Sequence, residues 1–181
     1  MDFINSVLAS AHSPAAGKGQ TLYNDGVRFG VDPAFALAFF MYESSFGTQG
    51  LAQITHSLGA LQTPITPTCN CQPCLGLRQY HFWEDGFVDW YNLIRNQYVN
   101  QWNLSTVDQI VPVYASAGGD KEIKSFIRAV KSTINAWRNG QQPPLITEKH
   151  MFPAYTAGNE NGHSELTIQL LERIAEMKRN E

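Results

Sequence analysis

The apolar positions of the chain are concentrated in one stretch, FALAFFMYESSFG, at residues 35–47. Apolar side chains occur on every side of a helix drawn through it, which predicts a helix buried in the middle of the domain. Asp32 can cap the start of this helix and Pro33 fits its first position, so the helix is predicted to begin at Asp32. Gly47 predicts its end. The one charged residue of the stretch is Glu43.

Apolar residues recur at helical spacing in several other segments. Amphipathic helices are predicted at 16–29, 84–100, 121–137 and, after a Ser164 cap, 165–178. Thr106 or Ser105, followed by Gln109, predicts a capped short helix that leads into residues 110–113. In contrast, 48–77 is rich in Gly, Pro, Thr and Gln, which favours loops and a small hairpin. The fold class predicted from these patterns is mainly α.

The 181 residues are enough for one domain with a real core and too few for two ordinary ones. We divide the chain into a leader segment at 1–15, a globular part at 16–138 and a C-terminal extension at 139–181. The extension follows a composition break, RNGQQPP, at 138–144. Its terminal helix is predicted to pack on the same domain.

Composition excludes several classes of protein. Hydrophobic residues make up 43% of the chain and charged residues 16%, which is typical of a compact globular protein. The net charge of -3 argues against nucleic acid as the main partner. No apolar run is long enough to span a membrane, and the N-terminus does not have the pattern of an intact signal peptide. We expect no cofactor.

All three cysteines lie within six residues, at Cys69, Cys71 and Cys74. They allow a small disulfide loop with one cysteine left over, which we favour, or a zinc site completed by His56 or His81. Reduced structural thiols are the third reading. The spacing is not a standard zinc pattern.

Glu43 is the strongest candidate for chemistry. A carboxylate near the end of a buried helix loses hydration and faces the negative end of the helix dipole, so its pKa should be raised, as a general acid requires. The structural alternative is an ion pair with Lys or Arg. Residues 44–83 contain no Asp or Glu that could act as a second catalytic carboxylate. Glu84 and Asp85 stand at a predicted helix start, which favours a capping role for them.

The order of several motifs resembles the bacterial peptidoglycan endo-β-N-acetylglucosaminidases of the lysozyme-like superfamily. The motifs are ESSFG after the apolar helix, THSLG at 55–59, YHFWEDGFVDW at 80–90 and VYA at 113–115, and the resemblance covers residues 16–138. The YASAG loop at 114–118 is also similar to the tyrosine loop of lytic transglycosylases. The chain departs from the family at Ala60-Leu61, where an Asn-Ile or Phe-Gly pair would be usual.

The resemblance implies a mostly helical, lysozyme-like catalytic domain with a cleft between a helical lobe and the 48–77 segment. It assigns Glu43 as the catalytic acid and Tyr114 as the residue that positions Glu43 or the N-acetyl group of the sugar. Residues expected to contact the substrate are Ser57, Gly59, Gln62, Tyr80 and Ser116.

The function implied is cleavage of the β-1,4 glycan of peptidoglycan by a single carboxylate, with help from the substrate's own 2-acetamido group. A monomer in the cell envelope or outside the cell would fit this substrate. A lytic transglycosylase or muramidase of the same superfamily is the alternative. Two other classes stay open: a glycan-binding or structural module without activity, and a metal-organised interaction module built on the cysteines and the terminal helix.

Overall fold

A computed structural model describes residues 2–62, 77–116 and 118–141. This part of the chain is helical and has no strands, which confirms the prediction of a mainly α fold. Its helices, in chain order, are α1 (Asp2–Ser10), α2 (Gly19–Phe29), α3 (Pro33–Ser44), α4 (Ala52–Thr55), α5 (Trp83–Asn92), a π-helical segment (Leu93–Gln101) that continues α5, α6 (Val107–Tyr114) and α7 (Asp120–Arg138).

Helix α3 is the centre of the core, as its sequence predicts. Asp32 caps it, because the Asp32 Oδ1 atom accepts a hydrogen bond of 2.8 Å from the backbone N–H of Ala34, and Pro33 occupies the first position. The side chains of residues 35–42 are all buried. Helices α2 and α7 pack against α3, and α6 packs against α7. The burial of so many aliphatic and aromatic groups is the main stabilising contribution to this fold.

The segment predicted to be a leader, 1–15, contains α1 (Asp2–Ser10), which packs on α2. Ile4, Val7 and Leu8 belong to the hydrophobic core. The side chain of Asn5 accepts a 2.8 Å hydrogen bond from the N–H of Gly19 at the start of α2. The apolar residues of α1, spaced three and one apart, therefore bury one helical face in the same core as the helices of the 16–138 part.

The three helices predicted between residues 80 and 138 are present, with one change of type. The segment predicted at 84–100 is α-helical to Asn92 and π-helical from Leu93. Thr106 and Gln109 form the predicted capping pair of α6, in which the Gln109 side-chain oxygen accepts from the Thr106 N–H at 3.2 Å. Helix α7 agrees with the prediction at 121–137 to within one residue at each end.

The 48–77 segment is described only in part. It contains α4, a single turn of helix, and an isolated antiparallel bridge between Gln62 and Leu77. The three cysteines and the helix predicted at 165–178 lie outside the described residues. Within the described ranges, no helix has the length and apolar character needed to cross a membrane.

Candidate active site

Helix α3 ends one residue after Glu43, and the turn that follows it has an unusual backbone conformation. Ser45, Phe46 and Gly47 all have left-handed backbone conformations, with φ of 47°, 57° and 85°. For the two residues that are not glycine this conformation costs on the order of 1 kcal/mol each. The helix therefore ends at Ser44, three residues before the predicted stop at Gly47.

Long-range hydrogen bonds hold this turn. The Ser44 hydroxyl donates to the carbonyl of Leu58 at 2.8 Å and accepts from the N–H of Gly47 at 2.9 Å. The Ser13 hydroxyl donates to the carbonyl of Phe46 at 2.6 Å. Because both serines are buried, these bonds are shielded from water and fix the α3 terminus relative to the turn that follows α4.

The Glu43 side chain is partly exposed, whereas the residues on either side of it in α3, Tyr42 and Ser44, are buried. Burial raises the pKa of its carboxyl group from 4.5 to about 8, which is the direction that the sequence predicts. None of the ion pairs formed among the described residues includes it, so the structural alternative of a Lys or Arg partner gains no support in that part of the chain. A carboxyl group with this pKa is mostly protonated at neutral pH.

Two tyrosines, the buried Tyr98 and the partly buried Tyr114, lie close enough to this carboxyl group to interact with its charge. Burial, and after it the negative charge of Glu43, raises the pKa of Tyr98 and of Tyr114. The two rings have centroids 6.1 Å apart. Tyr98 was not predicted as a site residue, because its position in the apolar helical pattern is that of a core residue. The signal that could have found it, the π-helical register of Leu93–Gln101, is not visible in the sequence; such segments are frequent at functional sites.

Tyr114 joins the end of α6 to the turn after α4. Its hydroxyl donates a hydrogen bond to the carbonyl of Gly59, and its ring lies edge-on to Phe39 of α3 with centroids 4.6 Å apart. A Cβ atom at Gly59 would lie 2.4 Å from Cδ1 of the buried Trp90. Three predicted site residues, Glu43, Gly59 and Tyr114, are thus brought together, and only glycine fits at the middle one.

Ser57 and Ser116 differ in what they offer to a substrate. Ser57 is buried, and its hydroxyl accepts a hydrogen bond of 3.2 Å from the N–H of Leu61. It therefore holds the 55–61 turn in shape. Ser116 is partly exposed, two residues after Tyr114.

Tyr80 and Gln62 belong to a polar network that ends the 48–77 segment. The hydroxyl of Tyr80 and the guanidinium of Arg78 both donate to Oδ2 of Asp89, each at 2.6 Å. Arg78 Nε also donates to the backbone carbonyl of Gln62 at 2.9 Å. The Gln62 side chain is exposed. Burial, followed by the bond to Asp89, raises the pKa of Tyr80. The sequence did not mark Asp89, since one carboxylate on an amphipathic helix carries no distinctive signal.

The two carboxylates at the start of α5 have structural partners. Glu84 forms an ion pair with Lys18, and the Asp85 side chain accepts from the N–H of Phe82 at 3.3 Å. This confirms the predicted capping role for Asp85.

The described residues contain no group of three His, Cys, Asp or Glu side chains that could hold a metal; the zinc alternative depends on cysteines outside those ranges. His56 lies with Nδ1 2.9 Å from the carbonyl of Tyr80.

No family model, curated protein or solved structure gives a significant match to this chain. The function is therefore argued from the site itself. Its components are one protonated carboxyl group at the end of a buried helix, two tyrosines beside it and a glycine turn that is fixed against both α3 and α6.

Proposed function

We propose that this protein is a peptidoglycan hydrolase that cleaves β-1,4 bonds of the glycan strand as an endo-β-N-acetylglucosaminidase. The observation that carries the proposal is Glu43, a partly exposed carboxyl group whose pKa is raised by burial to about 8. A glycosidic oxygen needs a proton as the bond breaks, and an acid that is still protonated near neutral pH supplies it best. The lysozyme-like fold suggested by the motifs is part of the same proposal.

The reaction would begin with proton transfer from Glu43 to the glycosidic oxygen. The bond to the anomeric carbon then breaks, and positive charge develops on that sugar. The carbonyl oxygen of the substrate's 2-acetamido group would attack this carbon and take the place of a protein nucleophile. Glu43, now a carboxylate, would accept a proton from water as the water opens this intermediate, which restores the acid.

Two carboxylates among the described residues have structural partners, which supports the proposal of substrate assistance. Asp89 accepts from Arg78 and Tyr80, and Glu84 is paired with Lys18. Burial alone accounts for the shift of the Glu43 pKa, with no contribution from a neighbouring described carboxylate. A retaining mechanism with two protein carboxylates would place them about 5 Å apart, where each would raise the pKa of the other.

Tyr114 would act as a positioning residue. Its hydroxyl is bonded to the carbonyl of Gly59, so the ring and the 55–61 turn stay together beside Glu43. The substrate's N-acetyl group would lie against this pair, with Ser116, Gln62 and Tyr80 as further contacts along the strand. Peptidoglycan would be met outside the cell or in its envelope, and we propose that the protein acts there as a monomer.

The test is digestion of purified peptidoglycan with mass analysis of the soluble fragments. The unaltered protein should release fragments with N-acetylglucosamine at new reducing ends. Glu43→Gln should lower the rate by a factor on the order of 10²–10⁴, the usual contribution of a general acid. The matched control is Glu84→Gln, which removes a carboxylate that is paired with Lys18; it should retain activity.

Other products would redefine the reaction. A 1,6-anhydromuramyl end would identify a lytic transglycosylase, in which the sugar's own 6-hydroxyl replaces water, and a muramic acid reducing end would identify a muramidase. If neither the unaltered protein nor Glu43→Gln released fragments from several types of peptidoglycan, the enzymatic proposal would be rejected.

A further inference from the structure

The outer face of α7 carries a row of positive charge. Four basic residues of α7 are spaced at intervals of three, four and three, which places them on the same face of the helix. They are Lys121, Lys124, Arg128 and Lys131. All four are exposed. The opposite face of α7 is buried in the core. We call these four residues the cationic stripe.

The stripe is poorly balanced by acidic groups. Lys131 pairs with Asp108 of α6 at 2.9 Å, whereas no ion pair joins the other three stripe residues to a carboxylate in the described part of the chain. The acidic residues of α7, Asp120 and Glu122, both lie in its first turn, where their negative charges interact favourably with the positive end of the helix dipole. Asp120 precedes Lys124 by four residues and so borders the stripe at its N-terminal end.

This arrangement is unfavourable for the helix itself. Like charges at intervals of three or four residues destabilise a helix by a few tenths of a kcal/mol per pair. The stripe is also opposite in sign to the whole chain, whose net charge is -3. Concentration of positive charge on one face of an otherwise acidic protein creates a local attractive field for anions.

We propose that the cationic stripe binds a linear phosphodiester polymer with no bases, such as a polyol phosphate. A straight row of exposed cations matches a flexible chain of regularly spaced anions, and binding would release the counterions of that chain. The stripe would then hold the protein on the surface that carries this phosphate-bearing polymer. This inference goes beyond the proposed glycan cleavage and does not depend on it.

A membrane surface fits the stripe less well. Helices that lie in a membrane interface insert large apolar side chains beside their cations. The large hydrophobic side chains that are exposed in the described residues all lie outside α7, at Phe3, Tyr23, Val27, Ile54 and Phe82. The large apolar side chains of α7 pack in or against the core, so they do not face a membrane surface beside the stripe.

Nucleic acid also fits less well. Proteins that bind single strands add aromatic side chains on which the bases stack. The aromatic residues of α7, Phe126 and Trp137, are both buried, so the stripe offers only charge. A polymer whose recognition rests on phosphate alone is the better match.

The helix that carries the stripe packs against the helices that carry the candidate active site. Helix α7 packs on α3, which carries Glu43, and on α6, which ends at Tyr114. A polymer held by α7 would therefore keep the whole site near the surface to which the polymer belongs. Retention of this kind raises the local concentration of the protein at its substrate.

The experiment compares three forms of the full chain. The test variant is Lys124→Gln with Arg128→Gln. The control variant is Lys18→Gln with Arg28→Gln, which removes the same charge at ion pairs that lie outside α7. Binding of each to poly(glycerol phosphate), to duplex DNA and to phosphatidylglycerol vesicles is measured by calorimetry or sedimentation at several salt concentrations.

The unaltered chain and the control variant should bind poly(glycerol phosphate) with affinity that falls as salt rises. The test variant should bind more weakly, with a salt slope reduced by about one to two units, since each lost phosphate contact removes somewhat less than one. All three forms should have similar melting temperatures.

Three results would overturn the proposal. One is absence of binding to poly(glycerol phosphate) at low salt, another is equal loss in the test and control variants, and the third is tighter binding to DNA or to vesicles. None of these measurements uses glycan cleavage, so failure here is distinguishable from failure of the proposed enzymatic activity.

Discussion

The hydroxyl of Tyr114, at the end of α6, donates a hydrogen bond to the backbone carbonyl of Gly59, 55 residues earlier in the chain. This bond connects a helix that packs on α7 with the turn that Ser44 attaches to the end of α3. Since Glu43 lies next to Ser44, the position of the Glu43 carboxyl group and the position of Tyr114 depend on one set of contacts. The site is therefore part of the tertiary packing.

Tyr114→Phe should lower the free energy of unfolding by about 1–3 kcal/mol. The ring would still pack against Phe39, but the Gly59 carbonyl would lose its donor in a buried place, and an unpaired polar group costs about this much. Denaturant unfolding measures the change. The control is Tyr23→Phe, at a tyrosine that is 41% exposed, where we expect a change within about 0.5 kcal/mol. Equal effects in the two variants would contradict the role given to the Tyr114 hydrogen bond.

Gly59→Ala should destabilise the protein and change the environment of Trp90. The added Cβ would lie 2.4 Å from Trp90 Cδ1, so the ring or the turn must move, and forced overpacking of a core costs about 1–3 kcal/mol. Near-ultraviolet circular dichroism should show a changed tryptophan signal. Gly140→Ala is the comparison, because nothing lies within 4 Å of the Cβ position at Gly140. That variant should keep the tryptophan spectrum, although its positive φ makes it unfavourable as well.

The central helix could be predicted from sequence because its information is local. An apolar run, an Asp32 cap and Pro33 at the first position determine where α3 begins. Its end could not be located as well, since the left-handed turn at Ser45 and Phe46 is held by Ser13 and Leu58, which are distant in the chain. Sequence periodicity contains no information about such partners.

Only part of the candidate site could be predicted from the sequence. Glu43 stood out as the single charge in an apolar run, and its raised pKa followed from burial. Tyr98 was not found, because the change from α-helix to π-helix at Leu93 alters which side chains share a face. The network of Arg78, Tyr80 and Asp89 was missed because it pairs a loop with a helix.

Stability should decrease as pH rises through the range in which Glu43 is protonated only in the folded state. The folded protein holds this proton up to pH about 8, whereas the unfolded chain loses it near 4.5. The folded state therefore binds more protons between these values, and its free energy of unfolding should fall with a slope of at most about 1.4 kcal/mol per pH unit.

Denaturant unfolding from pH 5 to 8, with Glu43→Gln beside the unaltered protein, isolates this effect. The amide cannot ionise, so the variant should lose this component of the pH dependence and should be the more stable of the two at pH about 8. Parallel curves for the two proteins would show that the Glu43 carboxyl group is hydrated in the folded state and has an ordinary pKa.

If Glu43 is the acid in glycan cleavage, the rate should depend on the same proton. The pH profile of kcat/KM reports the ionisation of essential groups in the free enzyme. Activity should therefore stay high through neutral pH and fall above pH about 8, where Glu43 loses the proton that it must donate. Glu84→Gln should leave this limb unchanged, because Glu84 pairs with Lys18 and takes no part in the transfer. A fall centred near pH 5 would mean instead that the carboxyl group ionises as a solvated glutamate does, and the acid would have to be sought elsewhere in the chain.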